Sequence, residues 1–302
     1  MELMHRCQMV FFAEEEGSNF ELSLMGSRAL IGKITTENLK ETRVNASDKT
    51  AHDIISRAGF NPDNLANDVL KKGDIKAYIE VHIEQGVRLE AEGCSIGIVP
   101  AIVGVKWFEV IFKGQSNHSG TTPMNLRHDA MAAASAVISQ VKYMAAKATA
   151  TTVATVGRVE IFPNVPNIIP GYVRFVVNIR DVEQGGIDQV AEELEDAVKL
   201  AAADNNMSYE LKMLSDIPPI TLSSHLTEML EVNTKELGVD YILMPSGALH
   251  DCSCMAEICD AALIFVPSIG GYSHVPEEDT DYEDIKAAAD LLLMTLVQLT
   301  KS

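Results

Sequence analysis

The spacing of apolar and polar positions divides this 302-residue chain into two styles. Residues 7–13 (CQMVFFA) form an unbroken apolar run of strand length, stopped by three glutamates; this pattern predicts a strand buried on both faces of a parallel sheet. Residues 50–58 and 63–71 carry helical spacing. Residues 76–83 (IKAYIEVH) read as a strand, and 84–92 as a charged helical segment that ends at Gly93. From about residue 105 the style changes. Segments 106–113 (KWFEVIFK), 152–161 (TVATVGRVEI) and 172–180 (YVRFVVNIR) are strand-like and interleaved with helices over 127–148 and 184–205. This strand–helix–strand–strand–helix–strand order is that of a small α+β sandwich with a mostly antiparallel sheet. After Pro218–Pro219 the first style returns: a helix over 224–237, a loop over 244–251, an apolar strand over 261–266 (AALIFV) and a closing helix over 283–300. The economical reading is a discontinuous α/β domain, residues 1–104 and 216–302, with a mostly parallel sheet and an α+β sandwich inserted at 105–215.

Charge and composition narrow the partners. A net charge of −19 argues against a nucleic-acid surface, which needs a basic face to displace counterions. No apolar run approaches the roughly 20 residues of a membrane-spanning helix, and the first residues lack a small-residue cleavage site, so the reading is a cytoplasmic protein without a membrane partner. Five cysteines make no disulfide framework, and Cys252, Cys254 and Cys259 lack the paired spacing of a structural zinc site; they read as small buried hydrophobes.

Five stretches carry candidate chemistry. Glu14, Glu15 and Glu16 follow a strand-like run; such a charge run is ordinarily a solvated face, but carboxylates at the carboxyl end of a strand can divide the work of metal ligand and general base. His82 closes another strand, where a lone histidine is either a hydrogen-bonded structural residue or a ligand. The loop Asn117–Pro123 presents His118, either as a turn residue or as a donor to a substrate oxyanion. Asn167 opens a turn into the strand that ends Asn178-Ile179-Arg180-Asp181; Arg180 pairs with a nearby acid or holds a substrate carboxylate. Two glycine-containing loops, 246–251 and 267–274, end near His250 and at His274. No G-x-S-x-G elbow and no phosphate-binding glycine loop is present, which counts against serine hydrolases and nucleotide enzymes. Imidazole together with carboxylate is a zinc- or manganese-type ligand set.

In combination, AEEEGSNF (13–20), VHIEQG (81–86), LEAEG (89–93), VGVKWF (103–108), NHSGTTPM (117–124), PNIIPG (166–171), NIRD (178–181), SGALHD (246–251) and VPSIGGYSHVPEED (266–279) resemble the dinuclear-metal amidohydrolases that include N-carbamoyl-L-amino acid hydrolases and allantoate amidohydrolases. The resemblance implies a catalytic domain with two zinc or manganese ions and a lid/dimerisation domain at 105–215. It implies that Glu15 is the general base, that Glu16 and His274 bind one metal, and that His82 binds the other. His118 stabilises the oxyanion. Gln85, Asn167, Arg180 and His250 contact or border the substrate, with His118, Asn167 and Arg180 reaching a neighbouring subunit of a homodimer. The implied reaction is hydrolysis of a C–N bond in a linear ureido or amidine compound bearing a carboxylate. Two departures stand out. Relatives have Gly where this chain has Leu249, and they carry upstream His-x-Asp and bridging Asp-Gly motifs that do not precede Glu14 here. The expectation is an incomplete ligand set, weak metal binding and impaired turnover in this chain; the alternative is an inactive remnant that serves as a dimerising or binding module.

Overall fold

The computed structural model describes residues 6–20, 22–44 and 47–301. In chain order, the strands of three or more residues are β1 (Ala77–Ile83), β2 (Ile96–Val99), β3 (Gly104–Lys113), β4 (Val153–Phe162), β5 (Tyr172–Asp181), β6 (Ser208–Ile217), β7 (Tyr241–Leu243) and β8 (Asp260–Val266). Two compact units emerge, one built from the chain up to Ile102 and again from Thr221, the other from Val103–Ile220. The change of pattern along the sequence places these borders at 104/105 and 215/216, within a few residues of the borders found. The fold class is α/β, as expected.

The first unit is organised by a sheet in the order β1-β8-β2-β7, in which β1–β8 and β2–β7 run parallel and β8–β2 antiparallel. Every residue of β8 after Asp260 is buried, which is why its sequence reads as an apolar run without alternation. Helices Ser224–Leu237 and Tyr282–Leu299 bring Leu226, Leu230, Ala288 and Leu291 against Ile96, Ile98 and Ile264. Both helices start where a side chain satisfies a free amide: Ser223 accepts from Leu226 N and Asp281 from Glu283 N. The short helix Asp251–Met255 packs against β1 and β8. Because β1 and β8 are parallel and in register to Ile83↔Val266, the loops that follow them leave from one end of the sheet.

One expected strand is absent. Residues 7–12 form no strand, and Met9 and Phe11 are 83% and 88% exposed. The carbonyls of Ala13, Glu14 and Glu15 instead accept from the amides of Gly26, Met25 and Leu24, which turns the segment onto the start of helix Met25–Leu30. An apolar run supplies the side chains of a buried strand but not the neighbouring strand whose backbone must pair with it.

The second unit is a four-stranded antiparallel sheet in the order β4-β5-β3-β6. Strand β5 alternates half-buried and buried residues along its whole length, so Val173, Phe175, Val177 and Ile179 all face one side. Helices Ala130–Ala148 and Gln184–Asp204 cover that side with Val137, Val141, Val190, Leu194 and Val198. Each such side chain contributes about 1.5–3 kcal/mol by leaving water. Strand β5 ends on Asp181, a fully buried carboxylate. Burial alone would raise its pKa, but bonds from the Thr151, Thr152 and Thr149 hydroxyls and the Glu183 amide outweigh that and hold it below the ordinary value.

Candidate active site

Four chain segments of the first unit deliver the candidate residues, one of them the loop 246–250 that carries His250. Strand β1 carries Glu80 and His82 two residues apart, hence on one face, and continues into Glu84-Gln85-Gly86. Strand β8 continues through Ser268 to His274. The glutamate run supplies Glu15 and Glu16. Three residues that are not glycine occupy the left-handed backbone region here: Glu14 (φ 56°), Gln85 (φ 58°) and His274 (φ 61°). Such conformations cost on the order of 1–3 kcal/mol each and persist only where the surroundings over-determine them. The determinants are visible. Glu14 bonds the backbone amide and side chain of Asn19; the Gln85 amide donates to the buried Ser268 Oγ at 3.0 Å; the His274 amide donates to Glu278 Oε2 at 3.0 Å. Gly17 (φ 66°) has no room for a Cβ, which would stand 2.8 Å from Ser23 N.

These segments assemble two adjoining groups. In the first, ligand-capable atoms of Glu15, His82 and His250 all lie within 4.8 Å of one another. His82 Nδ1 is 2.7 Å from its neighbour's carbonyl, Ile83 O, and its ring centroid is 4.5 Å from that of His250. His250 is fully buried, with Nε2 2.8 Å from Ser246 Oγ. Its Nδ1 has no hydrogen-bond partner and looks toward Glu15 Oε1 at 3.8 Å and Glu80 Oε1 at 3.9 Å. Burial, then the charges of Glu16, Asp251 and Glu80, pushes the Glu15 carboxyl up to about 8. Burial and Asp251 likewise raise Glu80 to about 7, against bonds from Tyr78 OH and Cys252 N. Burial and His82 drive His250 down to about 3, so its imidazole is neutral. In the second group, Glu16 Oε1 is 3.1 Å from His274 Nε2 and accepts from Gln85 Nε2 at 2.7 Å; that same amide lies 3.4 Å from His274 Nε2. A carboxylate and an imidazole at this separation suit a shared divalent ion, so the donor set fits the expected metal.

The remaining candidates belong to the second unit. His118 and Ile168 form an antiparallel bridge, and Ser119 N donates to Asn167 O at 3.0 Å, so His118 and Asn167 are neighbours. His118 Nδ1 accepts from Gly120 N at 3.0 Å and Thr121 N at 3.3 Å, which leaves the ring proton on Nε2. Arg180 is elsewhere. It pairs in register with Val105, whereas the His118 loop leaves the Lys113 end of β3, opposite Tyr172. Eight strand residues at about 3.3 Å each put roughly 26 Å between these ends. Within one copy of this unit, the segments carrying His118 and Asn167 thus leave the strand end opposite to Arg180.

Several participants escaped the sequence reading. Glu80 had a signal, since it lies two residues before His82 on the same strand face. Ser246 and Ser268 look like ordinary loop serines until the fold buries them. Arg127 braces the His118 loop by donating to Thr122 O at 3.1 Å and Ser119 O at 2.5 Å.

An α/β fold with carboxylate–imidazole groups brought to a sheet end makes a metal-type site, and comparison with known proteins gives the family. Residues 2–298 match peptidase family M20/M25/M40, and the chain is an enzyme belonging to that family. It is 36% identical over 297 residues to the N-carbamoyl-L-amino-acid amidohydrolase of Pseudomonas sp. (strain NS671), covering 97% of this chain and 71% of that protein. It is 32% identical over 292 residues to the allantoate amidohydrolase of Escherichia coli (strain K12), covering 97% and 70%. An amidase of the hydantoinase/carbamoylase family from Burkholderia multivorans has a similar structure, with a TM-score of 0.86 at 31% identity over 95% of this chain and 69% of that one. Among the described residues, no helix is long and apolar enough to cross a membrane.

Proposed function

We propose that this enzyme hydrolyses a non-peptide C–N bond in a linear ureido or amidine compound of the N-carbamoyl-L-amino acid or allantoate type. The observation that carries the reading is Glu15, a half-buried carboxyl raised to about 8 and adjoining both imidazole–carboxylate groups. Glu16 and His274 would hold one zinc or manganese ion and His82 the other. When bound, such an ion polarises the substrate carbonyl and makes water more acidic.

The protein's own groups do the rest. Glu15 takes a proton from the attacking water and returns it to the departing nitrogen, a role that suits a carboxyl with a pKa near neutrality. His118 donates Nε2–H to the carbonyl oxygen as charge develops there. Arg180 holds the substrate carboxylate through its fork of N–H groups, Asn167 and Gln85 supply further polar contacts, and the loop bearing His250 borders the substrate. The roughly 26 Å between the His118 and Arg180 ends of one sheet supports a homodimer through 105–215, with the substrate gripped by residues from two copies. The proposed partners are thus a small ureido carboxylate and a second copy of the chain, in the cytoplasm, without nucleic acid or membrane.

The test is ammonia release from N-carbamoyl amino acids, allantoate and ureidoglycolate with Mn²⁺ or Zn²⁺ added. Turnover of at least one, lost on chelation, is the expected result. No turnover of any member of the panel overturns the reading in favour of a binding or dimerising module.

A further inference from the structure

The tautomers of two histidines follow from their hydrogen bonds. Ser246 Oγ accepts from Ala248 N at 3.1 Å and lies 2.8 Å from Ala248 O, which can only accept. The single hydroxyl proton therefore goes to that carbonyl. The contact of 2.8 Å between Ser246 Oγ and His250 Nε2 must then be made by an Nε2–H of the imidazole. This leaves Nδ1 of His250 as a bare lone pair, buried and without a hydrogen-bond partner. His82 is the mirror case: Nδ1 is 2.7 Å from Ile83 O, an acceptor, so Nδ1 carries the proton and Nε2 the lone pair.

Two imidazole lone pairs thus converge on the Glu15 carboxyl. We propose that His250 is a metal ligand, and that its Nδ1, His82 Nε2 and one Glu15 oxygen form a three-donor site for a divalent cation of the Zn²⁺ or Co²⁺ class. The inference rests on the metal-dependent reading above and adds to it a ligand from the 246–251 loop, with Ser246 as the positioning residue that fixes the tautomer. A carboxylate has two oxygens, so Glu15 keeps one for proton transfer. Donors about 2.0–2.2 Å from one ion stand roughly 3.4 Å apart. The present spread of up to 4.8 Å must close when an ion binds, and Glu15, carried by a loop rather than a strand, is the flexible member of the three. His250 cannot move much: it is fully buried, with Phe265 5.4 Å away between ring centroids. A backbone amide and a hydroxyl hold Glu80 through its other oxygen, 2.6 Å from Cys252 N and 3.0 Å from Tyr78 OH, so it backs the site as an outer carboxylate.

The experiment is titration of the full chain with Co²⁺, followed by its visible spectrum, and with Zn²⁺ against a chelating dye. The variants are His250→Gln, Ser246→Ala and, as a reference for the other group, Glu16→Gln, with circular dichroism as a check on folding. His250→Gln is expected to weaken one binding step at least tenfold and to alter the Co²⁺ bands. Ser246→Ala should weaken the same step by about 10–100-fold, the usual effect of releasing a ligand's outer partner. Glu16→Gln should weaken the other step. If His250→Gln does not fold, Ser246→Ala and a Zn²⁺-dependent ¹⁵N shift at His250 Nδ1 of the wild type carry the decision. Wild-type affinity and spectrum in Ser246→Ala, with no such shift, overturn this assignment and leave the proposed function standing. A wild-type chain that binds neither ion removes both.

Discussion

Glu16 and His274 meet at 3.1 Å although one lies near the start of the chain and the other near its end. Neither is buried, and each is carried by a segment whose backbone is held in an unfavourable conformation beside it, at Glu14 and at His274 itself. Removing either donor should therefore cost metal affinity without unfolding the sheet beneath. His274→Ala is expected to weaken binding of one ion at least tenfold, or about 1.4 kcal/mol, with an unchanged thermal midpoint. Isothermal titration calorimetry and thermal unfolding check the two halves of that statement.

Glu15→Gln, assayed with metal in saturating excess, tests proton transfer. It should lower kcat by about 10²–10⁴ while leaving KM within a few-fold. The base works as the carboxylate, so kcat/KM rises as pH climbs through the folded pKa, about 8 for the protein alone. A bound cation favours the carboxylate and moves that inflection below 8. A rate profile falling with pH across this range would show that Glu15 acts instead as an acid.

His118 is presented as an Nε2–H donor by two backbone amides on its other nitrogen. His118→Ala is expected to reduce kcat by about 10²–10³. His118→Gln should recover part of the loss, because an amide N–H can donate in the same direction. Equal activity in the two variants would mean that donation is not the role.

Asp181 ties the Thr149–Thr152 turn to the end of β5. Its folded pKa is depressed below 3.8, so its stabilisation is complete above the unfolded value and is lost as pH falls through the folded one. Asp181→Ala should cost about 1–3 kcal/mol at neutral pH, and the difference from wild type should shrink in acid below pH about 4. Denaturant unfolding at pH 7 and pH 3 reads both.

The apolar segment that did not become a strand gives a contrast in stability. Phe11, 88% exposed, should tolerate Phe11→Ser within about 0.5 kcal/mol. Phe175→Ala, at a fully buried position, should cost about 3–5 kcal/mol. Equal losses would place residues 7–12 in a core after all.

What could be read from sequence follows from range. The alternation of β5 and the unbroken apolar run of β8 record local burial, so both strands and the two-style organisation were legible. Residues 7–13 misled because pairing depends on a distant strand that no local pattern encodes. Strand β7 has three residues, too few for a period, and β6 interleaves charges with its apolar positions. For the site, Glu15, Glu16, His82 and His274 stood out by residue type and by the apolar runs or loops they close, and Gln85 only through the family resemblance. That His250 is buried with its Nδ1 free could not be seen, because it depends on Ser246 and Ala248 closing a turn around one hydroxyl proton.

The left-handed backbones of Glu14, Gln85 and His274 set terms for anyone engineering this enzyme. Glycine at Gln85 or His274, whose holding bonds are made by backbone amides, would relieve strain on the order of a kilocalorie. At either position it would also delete a polar head from the metal-facing group. A screen for heat tolerance alone would therefore drift toward variants that survive heating and do nothing, and selection should be run on turnover and stability together.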